Sequence, residues 1–206
     1  MNLLSFLLAR TLRREATLAA LSVGQNALLA DLEGRRVALV GNARSLASGH
    51  SGKKIDAADL VVRINRAPIP DPESHGTRTD WLALAVRPGR TDIDRLGPGR
   101  LLWMSHKRKR LPWDVAATPG FYLHPLADWA ALRDELRAPP TTGLMMIALL
   151  ARSRLATLDL YGFDFFASLS LTGSRSAAQV PHDFAAEKAW VDALMVQDTR
   201  IRMAGV

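Results

Sequence analysis

Residues 36–68 read RVALVGNARSLASGHSGKKIDAADLVVRINRAP, and this stretch restricts the fold more than any other in the chain. Apolar residues 37–40 form a run short enough for a buried strand, and they empty into Gly41-Asn42-Ala43. A second run, Leu60–Ile64, carries Arg63 and leads to Asn65. Two such strands with a small-residue loop after the first describe a ligand loop at the carboxyl edge of a parallel sheet, because Gly41 and Ala43 let backbone N–H groups approach a bound molecule closely. Asn42 and Asn65 each offer donors and acceptors together, which suits a nucleobase or ribose better than a bare phosphate. One asparagine after each of two neighbouring strands would place both over a single crevice. A turn at Gly41 and a helix cap at Asn42 explain the same residues without a ligand. Dinucleotide and Walker loops fit worse. Gly41, Gly49 and Gly52 do not space as G-x-G-x-x-G, and Gly52-Lys53 lacks the rest of a phosphate loop.

Short apolar runs recur at 81–86, 101–104 and 121–123, with Pro88, Gly89, Gly97, Pro98 and Gly99 punctuating the connection between the first two. Residues 126–137 set Leu126, Trp129, Ala130, Leu132 and Leu136 at helical spacing, and Pro139-Pro140 stop that helix. Thr141 then reads as the cap of another helix. The free N–H groups and dipole at Thr141, Thr142 and Gly143 make an anion site, although capping alone accounts for them equally. A strand at 158–161 ends in Gly162-Phe163. Residues 164–180 are rich in Ser, Ala and Gly, the composition of a flexible lid or of a plain surface loop. His182 precedes a last helix carrying Glu187, Trp190, Val191, Leu194 and Met195; in that position a histidine is a cap, a surface residue or a base. Strands near 37, 60, 81, 101 and 158 with helices on both faces predict one α/β domain, a Rossmann-like α/β/α sandwich over 32–206, preceded by a helical segment at 1–31.

These residues, in this order, resemble the sialyltransferase family of the animal type. Gly41-Asn42, Leu46, Asp56, Arg63, Asn65, Ala67-Pro68 and Gly76-Thr77-Arg78-Thr79-Asp80 are similar to its long motif. Thr141, Thr142 and Gly143 with Gly162 and Phe163 resemble the short motif, and His182 with Glu187 five residues on resembles the very short one. The sequence Y-G-F-D-F-F at 161–166 is also similar to bacterial sialyltransferases of a separate family with a similar fold. The resemblance implies a GT-A-variant glycosyltransferase fold and a CMP-activated acidic sugar, sialic acid or Kdo, as donor. It implies donor contacts at Gly41, Asn42, Ala43, Asn65, Thr141, Thr142, Gly143, Gly162 and Phe163. It further implies His182 as catalytic base, with Glu187 orienting it or supporting its helix, and transfer by inversion to a glycan or lipid-linked glycan without a metal. Histidine suits the proton step because imidazole titrates near neutral pH.

The chain departs from the family in two respects. It has no cysteine, which removes the family's disulfides and favours a reducing compartment, as in a cytosolic, prokaryotic relative. Between Asp164 and Pro181 there is no His or Tyr where the animal enzymes carry one, so the contact to the leaving phosphate falls to Arg175, Lys107 or Arg108 as candidates. That gap sustains an alternative, a catalytically degenerate nucleotide-binding module. A small oxidoreductase is disfavoured by the absent dinucleotide fingerprint.

With 206 residues and 48% hydrophobic composition the chain can build one ordinary core, and it has no apolar run long enough to span a bilayer. The formal net charge of +7 allows an anionic substrate, an anionic membrane or nucleic acid as partner. The cationic run 105–110, of sequence SHKRKR, reads first as a solvated surface and second as a phosphate contact. No nucleic-acid motif or repeated aromatic platform accompanies it. Residues 1–31 are leucine-rich and lead into Arg10, Arg13 and Arg14. They read either as an interfacial helix against anionic lipid, peripheral to an inner membrane, or as a helix docking on the domain or on a second subunit, with the oligomeric state open.

Overall fold

A computed structural model describes residues 1–87, 89–165, 171 and 180–204 of the chain. Seven strands form one sheet: β1 Arg36–Val40, β2 Leu60–Ile64, β3 Trp81–Leu84, β4 Arg100–Trp103, β5 Tyr122–Leu123, β6 Thr157–Tyr161 and β7 Ile201–Met203. Their order is β5-β4-β3-β2-β1-β6-β7, and every pairing is parallel. The ten helices among the described residues are α1 Leu3–Thr11, α2 Glu15–Ala19, α3 Gln25–Ala30, α4 Gly52–Asp56, α5 Pro72–His75, α6 Arg90–Leu96, α7 Trp113–Ala116, α8 Leu126–Leu136, α9 Thr142–Ala151 and α10 Phe184–Gln197. Single 3-10 turns occupy Arg44–Ser48 and Arg108–Arg110.

The apolar runs of the sequence are the strands of this sheet, uninterrupted because both faces are covered. Along β1 and β2, Val37, Leu39, Leu60, Val62 and Ile64 pack on one face beneath α3, α8, α9 and α10. Ala38, Val40 and Val61 point to the other face, against Leu46 and Ile55 of the Arg44–Ser48 turn and α4. Further along that second face, Leu82, Leu84, Leu101 and Trp103 are capped by Phe6 and Ala9 of α1, Leu18 of α2 and Val115 of α7. The result is the expected α/β/α sandwich. Strand β7, the α6 turn and the strand order were not part of the expectation.

Of the two readings of residues 1–31, the structure shows docking on the domain: Phe6 and Leu18 are fully buried, and the Arg10 guanidinium donates to the Leu111 carbonyl at 2.9 Å. The opposite side of α1 stays exposed, with Leu4 77%, Leu8 55% and Leu12 52% accessible. Among the described residues no helix is long and apolar enough to cross a membrane.

Strand order reverses at β1, which β2 flanks on one side and β6 on the other. In an open parallel sheet the crevice outside the carboxyl ends of the strands at such a point is where ligands bind. Chain segments far apart in sequence meet there.

Candidate active site

The loop after β1 and the loop after β6 are packed backbone to backbone at this crevice. The Gly41 N–H donates to the Tyr161 carbonyl at 2.7 Å and the Ala43 N–H to the Gly162 carbonyl at 3.2 Å. A Cβ on Gly41 would run into the Gly162 carbonyl oxygen, so only glycine fits there. Gly162 itself sits at φ +66°, in the left-handed region that side chains disfavour. Beside it, the Phe163 ring lies so close to Gly143 of α9 that a Cβ at Gly143 would be 2.7 Å from Cε1.

The two asparagines meet through the backbone. Asn42 donates its Nδ2 to the Ile64 carbonyl at 3.1 Å, directly before Asn65. Asn65 has φ +55°, uncommon outside glycine, and is held there by its N–H to the Ala83 carbonyl (2.8 Å) and its Oδ1, which accepts from the Ala85 N–H (3.0 Å). Asn42 is thus no helix cap; it ties the β1 loop to the end of β2. Its carbonyl accepts from the Leu171 N–H at 2.8 Å, which brings one described residue of the 164–180 segment onto the crevice. Residues 166–170 and 172–179 of that segment, Arg175 included, lie outside the described residues.

The third contribution comes from the C-terminal region. Asp183 caps α10 by accepting from the Ala186 N–H at 2.9 Å, which fixes His182 just ahead of the helix. His182 Nδ1 lies 2.7 Å from the Pro139 carbonyl oxygen. A carbonyl only accepts, so Nδ1 carries a proton, and in the neutral ring the lone pair is on Nε2. One turn into α10, Glu187 is 3% exposed and receives the Thr141 N–H at 2.6 Å and the Thr141 hydroxyl at 2.7 Å. The same hydroxyl accepts from the Leu144 N–H at 3.1 Å, so Thr141 is the N-cap of α9 as its sequence predicts. Burial pushes the Glu187 carboxyl up to about 7, against the opposing effect of the Thr141 bonds. Glu187 therefore grips the 139–141 turn rather than the imidazole, and of its two expected roles the bond to His182 is replaced by one to Thr141. Trp190 Nε1 donates to Glu135 at 2.8 Å and pins α10 to α8 as well.

The predicted residues form one continuous series of contacts, from His182 to Pro139, through Thr141, Thr142 and Gly143 to Phe163, Gly162 and Gly41, and through Asn42 to the turn at Asn65. Pro139 was missed: Pro139-Pro140 reads as a helix stop, and nothing in the sequence marks a carbonyl that sets a tautomer. Ser45, whose hydroxyl donates to Asp164 at 3.0 Å, was missed too.

The remaining long-motif residues brace the sheet from behind. Asp56 accepts from the Thr77 and Arg78 N–H groups at 2.9 Å each. Arg63, 1% exposed, donates to the Arg78 carbonyl at 2.8 Å and the His75 carbonyl at 2.7 Å. Arg78 reaches the Asp56 and Ala58 carbonyls at 2.7 Å, and Asp80 accepts from the Val61 N–H at 2.7 Å. Arg108 is likewise structural: 4% exposed, it is bound to Glu15, to the Ser105 carbonyl at 2.8 Å and to the His124 carbonyl at 2.6 Å. Its guanidinium faces the domain interior, so it does not serve as the phosphate contact. Lys107 sits beyond β4, three strands from β1 and roughly 14 Å across the sheet. Among the described residues no three His, Cys, Asp or Glu side chains are grouped to hold a metal ion.

Residues 11–87 match the family model "Glycosyltransferase family 29 (sialyltransferase)". A mammalian sialyltransferase superposes with a TM-score of 0.63 at 21% identity, over 84% of this chain and 70% of that one. The chain is sialyltransferase-like in sequence and in fold. The same mammalian sialyltransferase type in complex with Gal-beta-1-3GalNAc-ortho-nitrophenol gives a TM-score of 0.62 at 22% identity, with 84% and 70% covered. The sialyltransferase CstII from Campylobacter jejuni, in complex with the substrate analogue CMP-3FNeuAc, gives 0.55 at 14% identity, with 82% and 80% covered. A search of curated proteins finds no match. The sialyltransferase family match takes in Gly41 to Asn65 and stops before Thr141 and His182, so the assignment of those later residues rests on the contacts described above.

Proposed function

We propose that the protein transfers an acidic sugar, sialic acid or Kdo, from a CMP-activated donor to a hydroxyl of a glycan or lipid-linked glycan, with inversion. The observation that carries this reading is the His182–Pro139 bond, which commits Nδ1 as a donor and holds the imidazole against the turn that leads into α9, whose first residues pack on the loop after β6. In the reaction Nε2 accepts the proton of the acceptor hydroxyl as its oxygen bonds to the anomeric carbon. The bond from that carbon to the CMP phosphate breaks, and its electron pair leaves on the phosphate. The N-terminal end of α9, where Thr142 and Gly143 present backbone N–H groups, offsets the charge developing there without a metal. Asn42 and Asn65 hold the nucleoside side of the donor.

The cysteine-free sequence supports a cytoplasmic location, and the exposed Leu4 and Leu8 of α1, with Leu12 just after it, support peripheral contact with an inner membrane. The missing His or Tyr ahead of Pro181 favours one competing reading, a module that binds the nucleotide and transfers nothing. Measuring CMP affinity together with transfer from CMP-sialic acid and from CMP-Kdo decides between them. Transfer from either donor upholds the enzyme; CMP binding with neither transfer nor donor hydrolysis leaves the inactive module.

A further inference from the structure

A cavity of about 580 Å³ opens at the carboxyl end of β4, between the 105–110 loop, Arg13 and the start of α8. It is separate from the crevice at β1 and β6. Arg13, Lys107, Lys109 and Arg110 line it, and none of the four has a carboxylate partner among the described residues. The lining carboxylate, Glu15, is already taken by Arg108. Four unneutralised cations around one recess focus a positive potential on whatever enters.

The opposite wall is apolar and aromatic. Trp129, Leu126 and Ala130 of α8 contribute it, and the His106 ring stacks on Trp129 with centroids 4.0 Å apart. Burial lowers the His106 pKa, and Lys107, Arg108, Arg110 and Arg133 press it further the same way, so His106 itself reports the field of the recess. Arg133 also lies over the Trp129 ring, 5.2 Å from its centroid, so the wall offered to a ligand is the His106–Trp129 pair with Leu126 and Ala130. A cationic rim with such a wall suits a pyranose bearing an acidic group: the sugar packs against the wall while the anion meets the rim. A bilayer surface is too flat to enter such a recess.

From Trp129 the helix α8 runs about 10 Å along its axis to Leu136, and three further residues reach the 139–141 turn that His182 and Glu187 hold. A short oligosaccharide spans that distance. We propose that this cavity binds a phosphate- or carboxylate-bearing sugar of the acceptor, so that the hydroxyl to be modified is presented at His182. This rests on the transferase reading and specifies its acceptor as an acidic glycan.

The test uses the full chain and isothermal titration with sialyllactose, a phosphorylated lactose, lactose and inorganic phosphate, on wild type and on a Lys107→Glu, Lys109→Glu double variant. Both changes are on exposed side chains outside the donor crevice. At least one acidic saccharide should bind tenfold or more tighter than lactose and than inorganic phosphate, and should lose tenfold or more in the double variant, whose CMP affinity stays at the wild-type value. Whichever of the two acids binds tighter identifies the anion. Lactose binding as well as the acids, phosphate alone binding as well as the saccharide, or charge reversal without effect would each overturn the assignment. So would a variant that changes only the binding of phosphatidylglycerol vesicles, since the cations would then serve a lipid surface. Wild-type protein that fails to bind CMP removes the donor reading and leaves the saccharide result to be judged separately.

Discussion

His182 donates its Nδ1 proton to the carbonyl oxygen of Pro139 across 2.7 Å, which leaves one ring nitrogen committed and the other basic. A backbone carbonyl is a partner that no side-chain substitution deletes, so the tautomer is set by the path of the chain between α8 and α9. Replacing His182 with Ala should lower transfer by about 10²- to 10⁴-fold, the usual contribution of a positioned base, while CMP affinity changes little. Transfer at near wild-type rate in that variant would remove His182 from the chemistry.

Glu187 supplies a pH test. Its carboxyl titrates at about 7 in the folded chain against 4.5 as the ordinary value, so between those pH values the folded protein holds a proton that the unfolded chain has lost. Its contribution to stability therefore falls as pH rises through that window, by an amount on the order of a few kcal/mol. Buried His124, held down to about 4, acts with the opposite sign, which makes the difference between variants the quantity to measure. Urea midpoints of Glu187→Gln and wild type should run together below about pH 4.5, part between there and pH 7 in favour of the variant, and keep a constant gap above it. Curves that stay parallel from about pH 4 to 8 would mean that folding leaves the Glu187 carboxyl at its ordinary value.

Gly41→Ala places a methyl group into the Gly162 carbonyl, where backbone rather than a flexible side chain must yield. The expected cost is about 1 to 3 kcal/mol, read as a lower thermal midpoint, together with loss of CMP binding because the loops after β1 and β6 are forced apart. A variant with wild-type CMP affinity would place the donor elsewhere.

Transfer should survive exhaustive treatment with EDTA. Activity that vanishes and returns on adding a divalent cation would replace the helix-end account of the leaving phosphate with a metal-based one.

The α1 surface makes a separate prediction. Wild-type protein should float with anionic liposomes, and Leu4→Ser with Leu8→Ser should sharply reduce flotation without moving the thermal midpoint, since both side chains are exposed. Equal flotation of the two proteins would remove the membrane contact.

The sheet was legible because its strands are covered on both faces and so read as uninterrupted apolar runs; β7 was not, since of its three residues only Ile201 is buried. In the crevice, the close backbone packing at Gly41 and the helix cap at Thr141 were legible because loop chemistry and capping are local, whereas the bond from Asn42 to the Ile64 carbonyl was not. For Glu187 the sequence left two roles open, orienting His182 or supporting its helix, and the bond it makes to Thr141 was not legible, because which group a buried carboxylate grips depends on how α10 lies against α9. Arg108 shows the same limit. A cationic run looks uniform in sequence, yet Arg108 is buried and ion-paired while Lys107 and Lys109 stay in solvent.

The pairing of β1 with β6 joins Arg36 to Thr157, and β1 also supplies the first loop of the crevice. During synthesis the segment that matches the family emerges long before its neighbour does, with one edge of its central strand open. Until β6 has left the ribosome and docked, the recognisable part of this chain is an unfinished sheet with an exposed seam, and the pocket it advertises does not yet exist.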